Sequence, residues 1–426
     1  MRKTVSQTKK DYIWNTAAGL INAAEAVIMS AVVTRITGLT DAGMLTIAFA
    51  IGNLMMTVGK FGIRNYQVTD IENKFSFSVY LKTRLLTVLL MIIAVFGYLA
   101  YAAKELQYSW NKIMIIGMVC MIYAIEALED VFWGYYQRRN RLDAGAKMFC
   151  FRWLGILVAF PVLLWINRDL GHTLLVCLIV SLILFTLMLC LSYGKICGEE
   201  DRRIGQVLQS GSLRESRHLI RVVFSLFGIS FLSFYVNNAP KYAIDACLEE
   251  ETQACYGFVA MPVFVIGLLN TFVYQPTLVP MAVEWESRQS KAFVRRVLKQ
   301  IGVIGVISAI CMTGAYVIGI PVLSWFYHTE LSAYKIELMV LMAAGGFLAV
   351  SGYLSVVLTI MRRQKDLLWP YGLIAVIAAA GLKGIVSRYG TIGAAVCYLS
   401  LMAVLCLIYG VTLAIRLVRI SGNDEV

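Results

Sequence analysis

Long apolar runs broken by short polar segments recur along the whole chain, and about twelve of them approach the roughly 20 residues a helix needs to cross hydrocarbon. They lie near Tyr12–Ile36, Ala42–Gln67, Tyr80–Ala103, Asn111–Gln137, Ala144–Ile166 and Gly171–Tyr193, then near His218–Asp245, Gln253–Val283, Val297–Phe326, Ser332–Met361, Leu367–Val386 and Gly390–Leu417. The polar positions inside these runs keep helical spacing. Asn15, Asn22 and Glu25 form a stripe in the first, with Arg35 near its outer end; in the second, Asn53, Thr57, Lys60 and Arg64 step by four, three and four, which predicts one face of one helix. The seventh repeats the pattern with Ser230, Ser233, Asn237 and Lys241, continued by Asp245. The fourth instead collects acid, Glu126, Glu129 and Asp130, above Arg138 and Arg139. The eighth holds Pro262, Pro276 and Pro280 together with Asn270 and Gln275, which predicts a bent, polar-lined helix. The pattern as a whole predicts an all-α polytopic membrane protein of about twelve transmembrane helices.

Charge adds an orientation. Lys and Arg gather in the amino-terminal tail (Arg2, Lys3, Lys9, Lys10) and then in every second break: Lys74, Lys82 and Arg84; Arg138, Arg139 and Arg141; Lys195, Arg202, Arg203, Arg214 and Arg217; Arg288, Lys291, Arg295, Arg296 and Lys299; Arg362, Arg363 and Lys365; Arg416 and Arg419. Roughly 29 of the 38 basic residues fall on that side or in its adjoining helix turns, so both termini are expected in the cytoplasm and the protein in the plasma membrane. The longest polar segment, Gly194–Arg217, divides the chain into two halves of six helices, 1–205 and 206–426. Ala42 and Ala48 recur as Ala254 and Ala260, an offset of 254 − 42 = 212 residues against half of 426, which suggests a duplication.

Composition excludes a soluble domain: 59% of residues are hydrophobic and 15% charged. The net charge of +12 is spread over seven predicted cytoplasmic segments, so topology and anionic headgroups explain it and nucleic acid is not an expected partner. The first apolar run is too long for a cleavable signal and lacks a small-residue cleavage site, so it is expected to remain as a helix. Most cysteines sit in apolar stretches; Cys247 and Cys255 flank an outer loop, and their spacing leaves pairing open. His172, His218 and His328 show no metal-ligand spacing, and no phosphate loop, nucleophile elbow or zinc motif occurs. Outer loops are short, unlike those expected of a membrane polymerase. Transport without a cofactor or metal, not catalysis, is the expected activity.

Glu25, Arg35, Lys60 and Arg64 lie in the first two apolar runs, where each costs about 2.5–3.5 kcal/mol at mid-membrane. Such groups face a polar path or find other relief. Lys60 and Arg64 either line a lumen or snorkel to headgroups, Arg35 is either a ligand or an anchor, and the acids of the fourth run either line the path or pair with Arg152.

The stretch Thr34-Arg35-Ile36-Thr37-Gly38, then Asp41-Ala42-Gly43, Phe49-Ala50 and Phe61-Gly62-Ile63-Arg64-Asn65-Tyr66-Gln67-Val68-Thr69-Asp70, resembles the amino-terminal signature of Wzx-type polysaccharide flippases. Gly134-Tyr135-Tyr136-Gln137-Arg138-Arg139 resembles theirs as well. These belong to the superfamily of the lipid II flippase and the multidrug and toxin extrusion transporters. The resemblance implies two six-helix bundles around a central cavity and an undecaprenyl-diphosphate-linked oligosaccharide as substrate, moved by alternating access, with membrane lipids, a polysaccharide polymerase and a chain-length regulator as partners. Under that reading Arg35, Lys60, Arg64 and Lys241 hold the diphosphate. Asn22, Asn53, Asn237, Asn270, Gln275 and Tyr274 face sugars, and Glu25 is the carboxylate for proton or cation coupling. The main rival is a multidrug or cation antiporter of the same superfamily, to which a basic lumen is ill suited; a non-transporting scaffold is another. The segment Asp70–Lys82 lacks the signature of major facilitator transporters. Sugar composition, coupling ion and oligomeric state are not legible in the sequence.

Overall fold

A computed structural model describes residues 5–70, 72–197, 212–361 and 364–421. The division expected at residue 205, the charged run 199–203 and the basic positions Arg2, Lys3, Arg362 and Arg363 lie outside the described residues. Among the described residues every regular element is helical: α1 (Val5–Ile36), α2 (Leu39–Lys60), α3 (Ile63–Thr69), α4 (Phe77–Glu105), α5 (Trp110–Arg138), α6 (Leu142–Asn167) and α7 (Leu170–Ile196). There follow α8 (Leu213–Asp245), α9 (Glu250–Tyr274), α10 (Leu278–Glu286), α11 (Ser290–Gly314), α12 (Ile320–Tyr327), α13 (Lys335–Ile360) and α14 (Leu368–Ser421).

Among the described residues ten segments are long and apolar enough to cross a membrane. Helix α5 is not among them because Glu126, Glu129 and Asp130 fall within its 29 residues, and the segment Leu368–Leu417 breaks at Gly390, whose φ of +59° is readily reached only without a Cβ. Counting α5 and that break gives the twelve spans predicted from the hydrophobic pattern. The chain is therefore an all-α, multi-pass membrane protein. It divides into two compact units, Met1–Phe234 and Tyr235–Val426, with the division falling inside α8.

In the first unit α2 packs on α4 and α5, α1 on α6, and α5, α6 and α7 on one another. Burial follows position: 83% of the apolar window of α2 is inside the protein, against 33% for α4 and 22% for α7, so α2 is a central helix and the other two turn Leu, Ile and Phe outward. An aromatic knot of Phe77, Phe132, Tyr135 and Tyr193 joins α4, α5 and α7 at one end, with Phe77 and Tyr135 centroids 4.1 Å apart.

The second predicted span is not one helix. Helix α2 ends at Lys60, where Phe61 and Gly62 both take left-handed backbone (φ 47° and 68°), and α3 restarts at Ile63. The pair acts as a stop signal: glycine adopts this conformation freely, and Phe61 is held there by stacking on Phe227 at 4.1 Å. A Cβ on Gly62 would lie 2.9 Å from that of Leu226.

In the second unit α13 packs on α9, α11 and α14. The bend predicted for the eighth span is present as the tight turn Gln275–Thr277, containing Pro276, between α9 and α10. Between α11 and α12 the helix widens into a π-turn at Ala315–Gly319, just before Pro321 removes a backbone donor. Cys247 and Cys255 are both free thiols, so no bridge closes the loop they flank.

Candidate functional site

Seven charged side chains of the first unit form one set around α5, which is its spine. Glu126, Glu129 and Asp130 stand at i, i+3 and i+4, so one turn of α5 presents three carboxylates to the helices around it. Arg152 of α6, with no solvent exposure, donates from Nε to Glu129 at 2.7 Å and from Nη2 to Glu126 at 3.2 Å. Trp153 Nε1 donates to the same Glu126 oxygen at 3.0 Å. Arg84 of α4, equally buried, donates to Asp130 at 2.7 Å and to the Gly59 carbonyl at 2.7 Å, where α2 comes to its end. Carboxylates buried this deeply are stable only when paired and hydrogen-bonded, and these two arginines supply that.

Lys60 and Arg64 complete the set differently. Lys60 Nζ lies 2.9 Å from Glu126, and Arg64 lies 3.4 Å from Asp130, donates to Gln137 at 3.1 Å and covers the Trp133 ring at 4.2 Å. Their side chains keep 32% and 24% exposure, against zero for Arg84 and Arg152. The first pair therefore faces open space while the second acts as internal counterion. Neither Lys60 nor Arg64 simply reaches for the interface, and the pairing of Glu126 and Glu129 with Arg152 is also real.

That open space is two adjoining cavities. One, of about 280 Å³, is bordered by Asn15, Asn22, Lys60, Arg64, Glu129 and Trp133; the other, of about 590 Å³, shares Lys60, Arg64 and Asp130 with it and adds Thr57, Asn65 and Ser230. Although the turn at Phe61 breaks the predicted single face, it returns Arg64 to the same space as Lys60. Close approach of α3 to α5 depends on Gly134, where a Cβ would collide with the Gln67 side chain and press on that of Arg64.

Glu25 sits beside this set with 4% exposure. The Tyr123 hydroxyl donates to its Oε1 at 2.9 Å, and Asn53 donates to Tyr123 at 3.4 Å, so two predicted residues meet through a third that sequence reasoning missed. Glu25 Oε2, Glu129 Oε1 and Trp133 Nε1 are buried with no partner among the described residues. Four cations (Lys60, Arg64, Arg84, Arg152) thus face three paired carboxylates, and an ionised Glu25 makes the set neutral while a protonated one leaves it at +1.

The other predicted residues are divided between the two units. Arg35 is exposed in the last turn of α1. In the second unit Lys241 is half-buried on α8 with no hydrogen bond or ion pair among the described residues, and one turn away Asn237 accepts from Tyr398 at 3.3 Å. Asn270 is buried, donates to the Ile266 carbonyl at 2.9 Å and has an unpartnered oxygen, whereas Gln275 is exposed. The sequence misplaced Arg84: grouped with the basic loop residues, it is in fact a buried ion-pair partner. Its position eight residues into α4, two residues from Lys82 and therefore on a different face, and inside an apolar run, was the available signal.

At the end of the unit where α5 terminates, Asp70 organises the connection from α3 to α4. Burial alone raises its carboxyl, but the N–H groups of Lys74 and Phe75, the Tyr80 hydroxyl and the Arg138 charge outweigh that and hold it below the ordinary carboxylate range.

Residues 8–286 match the family described as polysaccharide biosynthesis protein, and the chain belongs to that family. Its fold is that of transporters of the MOP superfamily. An inward-facing multidrug resistance MATE family transporter aligns with TM-score 0.71 at 13% identity, covering 94% of this chain and 96% of that one. The lipid II flippase MurJ in an inward closed conformation aligns with TM-score 0.72 at 12% identity, covering 97% and 91%. A MOP superfamily transporter from Pyrococcus furiosus, reported to have a binding pocket of reversed polarity, aligns with TM-score 0.59 at 14% identity over 98% and 96%. No curated protein matches the chain in sequence.

Proposed function

We propose that this protein is a flippase that carries undecaprenyl-diphosphate-linked oligosaccharide repeat units from the cytoplasmic to the outer leaflet of the plasma membrane by alternating access, with both termini in the cytoplasm. One observation carries the reading: of the four cations paired with the carboxylates of α5, Lys60 and Arg64 are the two that line a cavity, and that cavity is also lined by Asn15, Asn22 and Trp133. A diphosphate is bound by charge-assisted hydrogen bonds from such cations, and sugars are bound by amides and by an aromatic face. Arg35 and Lys241 complete the predicted diphosphate contacts. Asn53, Asn237, Asn270 and Gln275 are the remaining proposed amide contacts.

Glu25 is the coupling carboxylate in this proposal. Its protonation adds one positive charge to the set around Lys60 and Arg64, so a proton taken up favours the anionic substrate and its release favours departure. The cation-antiporter reading draws support from the unpartnered oxygens of Glu25 and Glu129, but the groups with the greater exposure to the cavity are cationic.

The test is depletion of the protein in cells followed by mass spectrometry of polyprenyl-diphosphate lipids, with the leaflet of any accumulating species read by an impermeant sugar-oxidising reagent on spheroplasts. Build-up of a complete lipid-linked oligosaccharide shielded from the reagent is expected. No build-up, with altered sensitivity to cationic drugs, would favour the antiporter.

A further inference from the structure

Three cavities of the first unit form a series. The second shares Val68 and Gln137 with a third, of about 510 Å³, whose wall carries Gln67, Asp70, Asn73, Tyr135, Arg138 and Arg139 where α3 and the last turn of α5 meet. The proposed transport mechanism makes no use of this third space. It lies at the end of the unit that the basic segments assign to the cytoplasm.

Arg138 differs from the arginines deeper in. Arg138 donates to the Asp70 carbonyl at 3.0 Å and to the Asn73 side-chain oxygen, both neutral acceptors, and among the described residues it has no carboxylate at ion-pair distance. The neighbouring Asp70 carboxylate takes its hydrogen bonds from Lys74, Phe75 and Tyr80. Arg139 lies 4.7 Å over the Tyr135 ring and donates to the Ile196 carbonyl at 3.3 Å, which holds its guanidinium at the rim. Gln137, between them and the inner cavities, accepts from Arg64. The cationic positions Arg139, Arg138, Arg64 and Lys60 therefore follow one another from the rim inward, and the two inner members are already bonded to Asp130 and Glu126.

We propose that the rim cavity is an anion site that takes the phosphate or diphosphate headgroup of a prenyl lipid before it reaches Lys60 and Arg64. Guanidinium groups offer paired donors that match phosphoryl oxygens, and a headgroup at the rim leaves its chain in the bilayer. This rests on the flippase reading for the order of events. Phospholipid phosphates share the same chemistry.

The experiment uses the full chain in nanodiscs of phosphatidylcholine, with geranylgeranyl diphosphate as the probe, titrated against wild type and the pairs Arg138→Gln/Arg139→Gln and Arg138→Lys/Arg139→Lys. The glutamine pair should weaken binding about tenfold, the loss of one to two charge-assisted hydrogen bonds, and the lysine pair should stay within about threefold. Melting temperature is measured alongside. Should the glutamine pair fail to fold, the exposed Arg139→Gln alone, expected to lose about threefold, carries the comparison. Wild-type affinity in a folded glutamine variant would overturn the proposal, as would equal competition by phosphatidylglycerol, the mark of a general anionic-lipid site. Depletion separates the two ideas: Arg138-dependent diphosphate binding without lipid-linked oligosaccharide build-up would sink the flippase reading and leave the site, whereas build-up with wild-type binding by the glutamine pair would do the reverse.

Discussion

Arg152 and Lys60 both donate to Glu126, yet their removal should have opposite consequences. Arg152 is fully buried and is the sole partner of Glu129 among the described residues, so Arg152→Met leaves a carboxylate with 1% exposure uncompensated. Breaking a buried pair in this way costs about 3–5 kcal/mol. For a unit of this size that corresponds to a melting temperature lowered by roughly 10 °C. Lys60→Ala instead removes a cation with 32% exposure and leaves Glu126 bonded to Arg152 and Trp153, a cost of about 1 kcal/mol. Transport should nevertheless collapse in Lys60→Ala. The assay is thermal unfolding of purified protein in detergent, followed by tryptophan fluorescence, beside a transport measurement on the same variants. Arg152→Met/Glu129→Gln should recover about half of the lost stability, because a neutral amide no longer demands a counterion. An unchanged melting temperature for Arg152→Met, or an equal loss in Lys60→Ala, would refute the division into internal counterions and cavity-facing cations.

Three further outcomes are expected. Gly62→Ala places a Cβ at φ +68° and against Leu226, which should cost about 1–3 kcal/mol and lower the melting temperature; a wild-type melt would mean that the turn after α2 tolerates a side chain. Glu25→Gln fixes the charge of the buried set at its protonated value, so diphosphate binding should become independent of pH; wild-type pH dependence in that variant would remove the coupling role. Because the folded value of Asp70 is depressed, its contribution to stability is complete above about pH 4 and is lost as pH falls below that. Amide protection over residues 72–76, measured against the intrinsic exchange rate at each pH, should therefore fall on acidification in wild type and be low already in Asp70→Asn; strong protection in Asp70→Asn would show that the loop is held by other contacts.

The spans, their number and the bent eighth helix were legible because an apolar run of membrane length and an interior proline have few structural solutions. The stop at Phe61 and Gly62 was not, since the polar spacing from Asn53 to Arg64 continues unbroken through it and the left-handed turn depends on Phe227, far away in sequence. Lys60, Arg64 and Glu25 could be picked out as buried titratable groups, but which of them would be paired could not. That depended on Arg84 and Arg152, whose partners lie 46 and 23 residues away and whose burial only packing decides. Tyr123 and Trp133 were hidden for a further reason: one aromatic residue among 12% aromatics carries no signal until its neighbours are known.

The central claim is that Lys60 and Arg64 receive the diphosphate of a lipid-linked oligosaccharide. The most direct measurement reconstitutes wild type and Lys60→Ala/Arg64→Ala in proteoliposomes containing a fluorescent undecaprenyl-diphosphate oligosaccharide and follows its transfer between leaflets with an impermeant quencher. Transfer by wild type that is lost in the double variant, with its fold intact, is the predicted result. Equal transfer by both proteins would contradict it.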